Sequence, residues 1–110
     1  MSDIRFQVSG RGAKDAARKL GALIEGEFSR SPEVKAAGES TVLSIPTSLF
    51  KAEDVAAHKG VLERVQRLIG WASWEARNGL TVTVKGVEGR PEVRLDDTTA
   101  EAVVNLARSV

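Results

Sequence analysis

The sequence predicts an α/β protein: one domain spanning residues 1–110, with a single mixed four-stranded sheet and helices packed on it in the order β-α-β-α-β-β-α. Three observations carry that expectation. Short runs such as Ile4-Arg5-Phe6-Gln7-Val8 and Leu80-Thr81-Val82-Thr83-Val84 alternate apolar and polar side chains, the period of a half-buried strand. Residues 13–28 and 52–78 instead repeat their apolar residues every three or four positions, the period of a helix. The length, 110 residues, is that of one domain with one core. Strands separated by helices imply crossovers, which favour parallel neighbours, whereas the last two strands read as an antiparallel hairpin.

Each element follows from local chemistry. The first strand stops at Ser9-Gly10-Arg11-Gly12. The helix over 13–28 carries Ala13, Ala16, Ala17, Leu20, Leu23, Ile24 and Phe28 on one stripe, with Lys14, Arg18, Lys19 and Glu25 mostly on the other side. Ser31-Pro32 ends it, because the residue before proline avoids the helical region. Residues 32–40 read as a loop, and the β-branched run 41–45 as a brief strand stopped by Pro46. Thr47-Ser48 offers hydroxyls for a turn or cap, and Glu53-Asp54 suits the positive end of the long helix. That helix runs over 52–78, with Gly60 a candidate point of interruption and Gly79 closing it. Residues 80–84 and 92–95, joined by a segment containing Gly86, Gly89 and Pro91, form the hairpin, with Val82, Val84, Val93 and Leu95 toward the helices. Thr98 and Glu101 make a capping box ahead of a last helix through Ala102, Val103, Leu106 and Val110.

Composition removes several classes of function. Sixteen basic residues against fifteen acidic ones leave a net charge of +1, too small for a long-range field that recruits nucleic acid or an anionic membrane. Cysteine is absent, so disulfides, thiol catalysis and thiolate metal sites are excluded together. Three Phe, two Trp and no Tyr argue against a base-stacking platform on the sheet. The opening residues lack the basic-then-apolar layout of a signal peptide, and no apolar stretch approaches the ~20 residues that span a bilayer. The expected compartment is the cytoplasm.

The residue pattern with most content lies on the long helix. At 100° per residue, Val55, His58, Leu62, Val65, Ile69, Ala72 and Ala76 fall on one side, and Arg64, Arg67, Trp71 and Trp74 on nearly the opposite side. Tryptophan and arginine together are the usual makeup of a binding hot spot, so this strip is a candidate surface for another protein or a second copy. The competing reading is that another element of the chain covers it as core. A second candidate is the strand-to-helix loop with Gly10, Arg11, Gly12 and Lys14, where anions bind in phosphate-binding loops. It lacks the third glycine of G-x-G-x-x-G, where Asp15 stands, and the G-K-[ST] ending of a P-loop. On this alternative the chain binds a small ligand or nucleic acid. His58, the only histidine, projects on the apolar side and reads as structural; without Cys or a second His it has no zinc partners. Asp96-Asp97 reads as a strand stop before a helix, with acid–base work as the rival. No catalytic constellation, metal site or cofactor motif assembles from these residues, and an enzyme using His58 or Asp96 is the third class of reading.

The C-terminal third, from Trp71-Ala72-Ser73-Trp74 through Thr81-Val82-Thr83-Val84, Gly89-Arg90, Val93, Leu95-Asp96 and the helix from Ala102 to Leu106, resembles the small effector-associated constant components of actinobacterial conflict systems. In that family a helix ending in Trp and Arg leads into a T-V-T-V-like strand, a Gly-Arg turn, a V-x-L-D strand and an Ala/Leu-rich helix. The strand-then-helix start also agrees. The family's glycine-rich stretch before the long helix is replaced here by Phe50-Lys51-Ala52-Glu53-Asp54. The resemblance implies a non-enzymatic adaptor or scaffold, whose partner is a separately encoded effector.

Overall fold

Alternation along the first strand sends Ile4, Phe6 and Val8 fully out of water while Arg5, between them, stays exposed. In a computed structural model, which describes residues 3–86 and 92–107, this strand opens the series β1 (Asp3–Ser9), α1 (Ala13–Phe28), β2 (Glu33–Ala37), β3 (Ser40–Pro46), a 3₁₀ turn (Thr47–Phe50), α2 (Val55–Ala76), β4 (Thr81–Lys85), β5 (Val93–Arg94) and α3 (Ala100–Asn105). The strands form one sheet in the order β2-β3-β1-β4-β5.

Two sequence expectations need correction here. The sheet has five strands, not four, and every neighbouring pair is antiparallel, so it is not mixed. The extra strand, β2, lies inside 32–40. Its residues Glu33-Val34-Lys35-Ala36-Ala37 have little intrinsic β preference, and the strand exists because the Gly38-Glu39 turn folds it back on β3. Gly38, at φ 65°, fills the first turn position, the usual chemistry of a two-residue hairpin. The crossovers do connect parallel strands: β1 and β2 run the same way, as do β3 and β4. Each crossover skips a strand, however, and the skipped strand inserts between its ends. Two such interlocked units make the β-α-β-β-α-β pattern of the ferredoxin-like arrangement, extended here by β5 and α3.

The hairpin expected near the C-terminus is present. Val84 pairs with Val93 and Thr83 with Arg94, and the Leu95 amide donates to the Val82 carbonyl at 2.8 Å. Val82, Val84 and Leu95 are buried and Val93 packs against them, as the alternation requires. Gly89, Arg90 and Pro91, which belong to the expected connection, and Val110, expected in the last helix, lie outside the described residues.

Helices cover one face of the sheet. From α1, Ala13, Ala16, Ala17, Leu20 and Ile24 of the predicted stripe enter the core, and its other two residues, Leu23 and Phe28, pack on the margin only partly buried. From α2 the buried residues are Val61, Val65, Leu68, Ile69 and Ala72, while Val55 is 85% exposed. This stripe is rotated by roughly 45°, at 100° per residue, from the one expected. The reason is that α2 has neighbours on both flanks. His58 reaches Glu101 of α3 at 3.2 Å on one side, and Arg67 reaches Glu27 of α1 at 3.4 Å on the other. The helix runs unbroken through Gly60. It is capped by Asp54, which accepts from the Ala57 amide at 2.7 Å. The cap of α3 is Thr99, not Thr98: Thr99 Oγ1 accepts from the Ala102 amide at 3.2 Å, so no capping box forms and Glu101 is left to pair with His58. Among the described residues, no helix is long and apolar enough to cross a membrane.

Candidate functional site

The four residues of the α2 strip do not share one environment. Rotation of the core stripe toward α1 brings Trp71 to the margin of the core, where it is half-buried against the apolar cluster. Arg67, one turn earlier, is held by its ion pair with Glu27. Arg64 is exposed. Trp74 sits a further 60° or so around the helix from Trp71, since three residues turn the chain by about 300°. It is 63% exposed.

Sequence reasoning missed the residue that organises this end of the helix. The Arg77 guanidinium lies over the Trp74 ring, 5.5 Å from its centroid, a cation–π contact. The i, i+3 spacing of Trp74 and Arg77 was the available signal. The contact leaves the indole with fewer orientations and shields part of one face with a cation. The outcome is a broad, largely wet aromatic surface at the C-terminal end of α2. Tryptophan and arginine held together in this way are the side chains enriched in interface hot spots. Arg64 stands nearly three turns back from Trp74, and its guanidinium lies beside Gly60, 4.0 Å from where a Cβ on that glycine would stand, so it does not join the Trp74–Arg77 pair.

The glycine loop has a structural account. The φ of Gly10 is 114°, and a Cβ placed there would stand 2.6 Å from the Gly79 carbonyl oxygen. The β1–α1 turn is thus pressed against the α2–β4 turn, and only glycine allows the approach. Gly12, at φ 77°, is the left-handed residue that starts α1 without a side-chain cap. The Ala13 amide is spent on the Gly10 carbonyl at 3.2 Å and the Ala16 amide on that of Gly12 at 3.0 Å. Arg11 is exposed, and Lys14 lines a groove between α1 and β2.

The groups that could carry acid–base chemistry are placed apart and paired. His58 Nε2 faces Glu101, an exposed pair. The Asp96 carboxylate takes both the Nε and an NH2 group of Arg94, at 3.1 and 2.8 Å, in a bidentate clamp across the end of β5. Among the described residues, no three or more His, Cys, Asp or Glu are grouped to hold a metal ion. The uncovered face of the sheet presents Asp3, Arg5, Gln7, Val42, Ser44, Thr83 and Lys85, none of them aromatic. Among the described residues this face therefore offers a nucleobase no aromatic ring to stack on. No protein-family model, no curated protein and no solved structure matches this chain.

Proposed function

We propose that this chain is a non-catalytic interaction module, a cytoplasmic adaptor that docks another protein against the C-terminal end of α2. The observation that carries the reading is Trp74: a large aromatic, 63% exposed, oriented by Arg77 on a rigid helix. Buried aromatic and arginine anchors supply most of the binding energy in protein interfaces, and one held in place before binding loses little entropy on docking. Arg77, over the ring, favours a partner with an acidic group beside an apolar pocket, and Arg64, exposed further back on α2, extends the basic character of the helix only to a larger partner. Trp71 supports the site from beneath, and Arg67 fixes the helix against α1 through Glu27. The same role, a partner of a separately encoded effector, is what the resemblance to the effector-associated components implies. Photo-crosslinking inside cells tests the reading. A photoreactive phenylalanine analogue at position 74 should give a discrete protein adduct, and the same analogue at position 11, in the glycine loop, should not. Adducts from position 11 alone would move the site to the glycine loop and end this reading.

A further inference from the structure

Strand β2 is the outer strand of the sheet, with β3 as its one neighbour. The two-residue turn pairs Ala37 with Ser40, Lys35 with Val42 and Glu33 with Ser44. In such a hairpin those residues exchange hydrogen bonds with β3, so Val34 and Ala36 turn their amide and carbonyl groups to the open edge. Val34 is 58% exposed, and beside it a groove of about 740 Å³ separates β2 from α1. An edge of this kind is a template for another strand.

We propose that this edge is a self-association site. Two copies of the chain pair antiparallel through β2, with Val34 opposite Val34 of the second copy, joining two five-stranded sheets into one. The choice of a second copy rests on charge complementarity. Centring the pair on Val34 places Glu33 opposite Lys35 of the second copy, and Lys35 opposite its Glu33. Shifting the centre by one residue sets Lys35 against Lys35, a like-charge pair that destabilises a ladder.

The helix above obeys the same symmetry. A twofold axis perpendicular to the sheet between the two Val34 residues sets α1 antiparallel to its copy. Gly21 lies over Leu43, a Cβ there standing 3.4 Å from Leu43 Cδ2, and Leu43 is the ladder partner of Val34. The axis therefore passes the level of Gly21 and Ala22 on α1. Arg18 and Glu25, both exposed and lining the groove, stand at equal distances along the helix on either side of that level. Antiparallel copies bring Arg18 toward Glu25 of the other chain, twice. Strand and helix are each self-complementary about one axis, and the groove is the space that closes between them.

This inference does not rest on the Trp74 reading, and a charge-swap series on the full chain keeps the two separate. Sedimentation equilibrium over a concentration series should show a monomer–dimer equilibrium. Glu33→Lys and Lys35→Glu should each weaken it by about tenfold, because each turns two attractive pairs into two repulsive ones. The double exchange, Glu33→Lys with Lys35→Glu, should restore it, and mixing the two single variants should give the heterodimer. Both side chains are exposed, so melting temperatures of the monomers should stay unchanged, and Trp74→Ala should dimerise as the wild type does. A chain that stays monomeric throughout, or single variants that dimerise as tightly as the wild type, would overturn the proposal.

Discussion

Trp71 and Trp74 stand three residues apart on one helix, yet the boundary between core and solvent runs between them. Trp71 packs on the apolar cluster, while Trp74 projects into water under the Arg77 guanidinium. The two truncations should therefore separate. Trp71→Ala should cost about 2 kcal/mol, less than the ~3–5 of a fully buried aromatic, and lower Tm by roughly 8 °C in a chain of this size. Trp74→Ala should stay within about 0.5 kcal/mol of wild type, as exposed positions do. Thermal unfolding followed by circular dichroism decides. Equal losses at the two positions would show that both rings are core.

Fluorescence quenching gives the same division without a stability measurement. In the native protein iodide should quench one tryptophan component strongly and the other weakly, and Trp74→Phe should remove the strongly quenched component. Persistence of that component in the Trp74→Phe protein would contradict the placement of Trp71.

The glycines divide by what a methyl group would meet. A Cβ on Gly86 would collide with the backbone of Leu106, at the end of α3, and one on Gly10 with the Gly79 carbonyl. Gly86→Ala and Gly10→Ala should each cost about 1–3 kcal/mol. A Cβ on Gly26 in α1 or Gly70 in α2 meets nothing within 4 Å. Each should gain about 0.5–1 kcal/mol as alanine, because glycine in a helix loses more chain entropy on folding. Chemical denaturation with a shared slope checks all four. A stabilised Gly86→Ala protein would contradict the docking of β4 on α3.

Much of the fold was legible because hydrophobic period is a strong signal where one face is buried. The alternation of 4–8 and 80–84 placed β1 and β4, and the stripe of α1 faces the core, with Leu23 and Phe28 only partly buried at its margin. What escaped detection depended on contacts far away in the chain. β2 carries Glu, Lys and two Ala, and nothing local marks it as a strand; its pairing with β3 does. Sheet direction escaped because a crossover fixes only the relation of the strands it joins, and here another strand lies between each joined pair. The α2 face was misjudged by including Val55, which the fold leaves in solvent, and overlooking Val61 and Leu68, which it buries. That rotation is also why the Trp strip divided into a supporting residue and an exposed one, and Arg77 could be assigned only once Trp74 was seen to face water.

The cap of α3 offers a test at single-residue resolution. Thr99→Ala should cost about 1 kcal/mol, the usual loss of a helix N-cap, and Thr98→Ala close to nothing. Amide exchange of Ala102 should quicken in the first variant alone. The reverse pattern would restore the box formed by Thr98 and Glu101.

The interaction reading stands or falls on what Trp74 contributes to binding. The most direct measurement is the dissociation constant of the partner recovered by crosslinking at position 74, titrated against the wild-type chain and against Trp74→Ala. Loss of a hot-spot tryptophan costs ~2 kcal/mol or more, so the variant should bind at least about thirtyfold more weakly while its melting temperature is unchanged. Equal affinity for the two proteins would contradict the account.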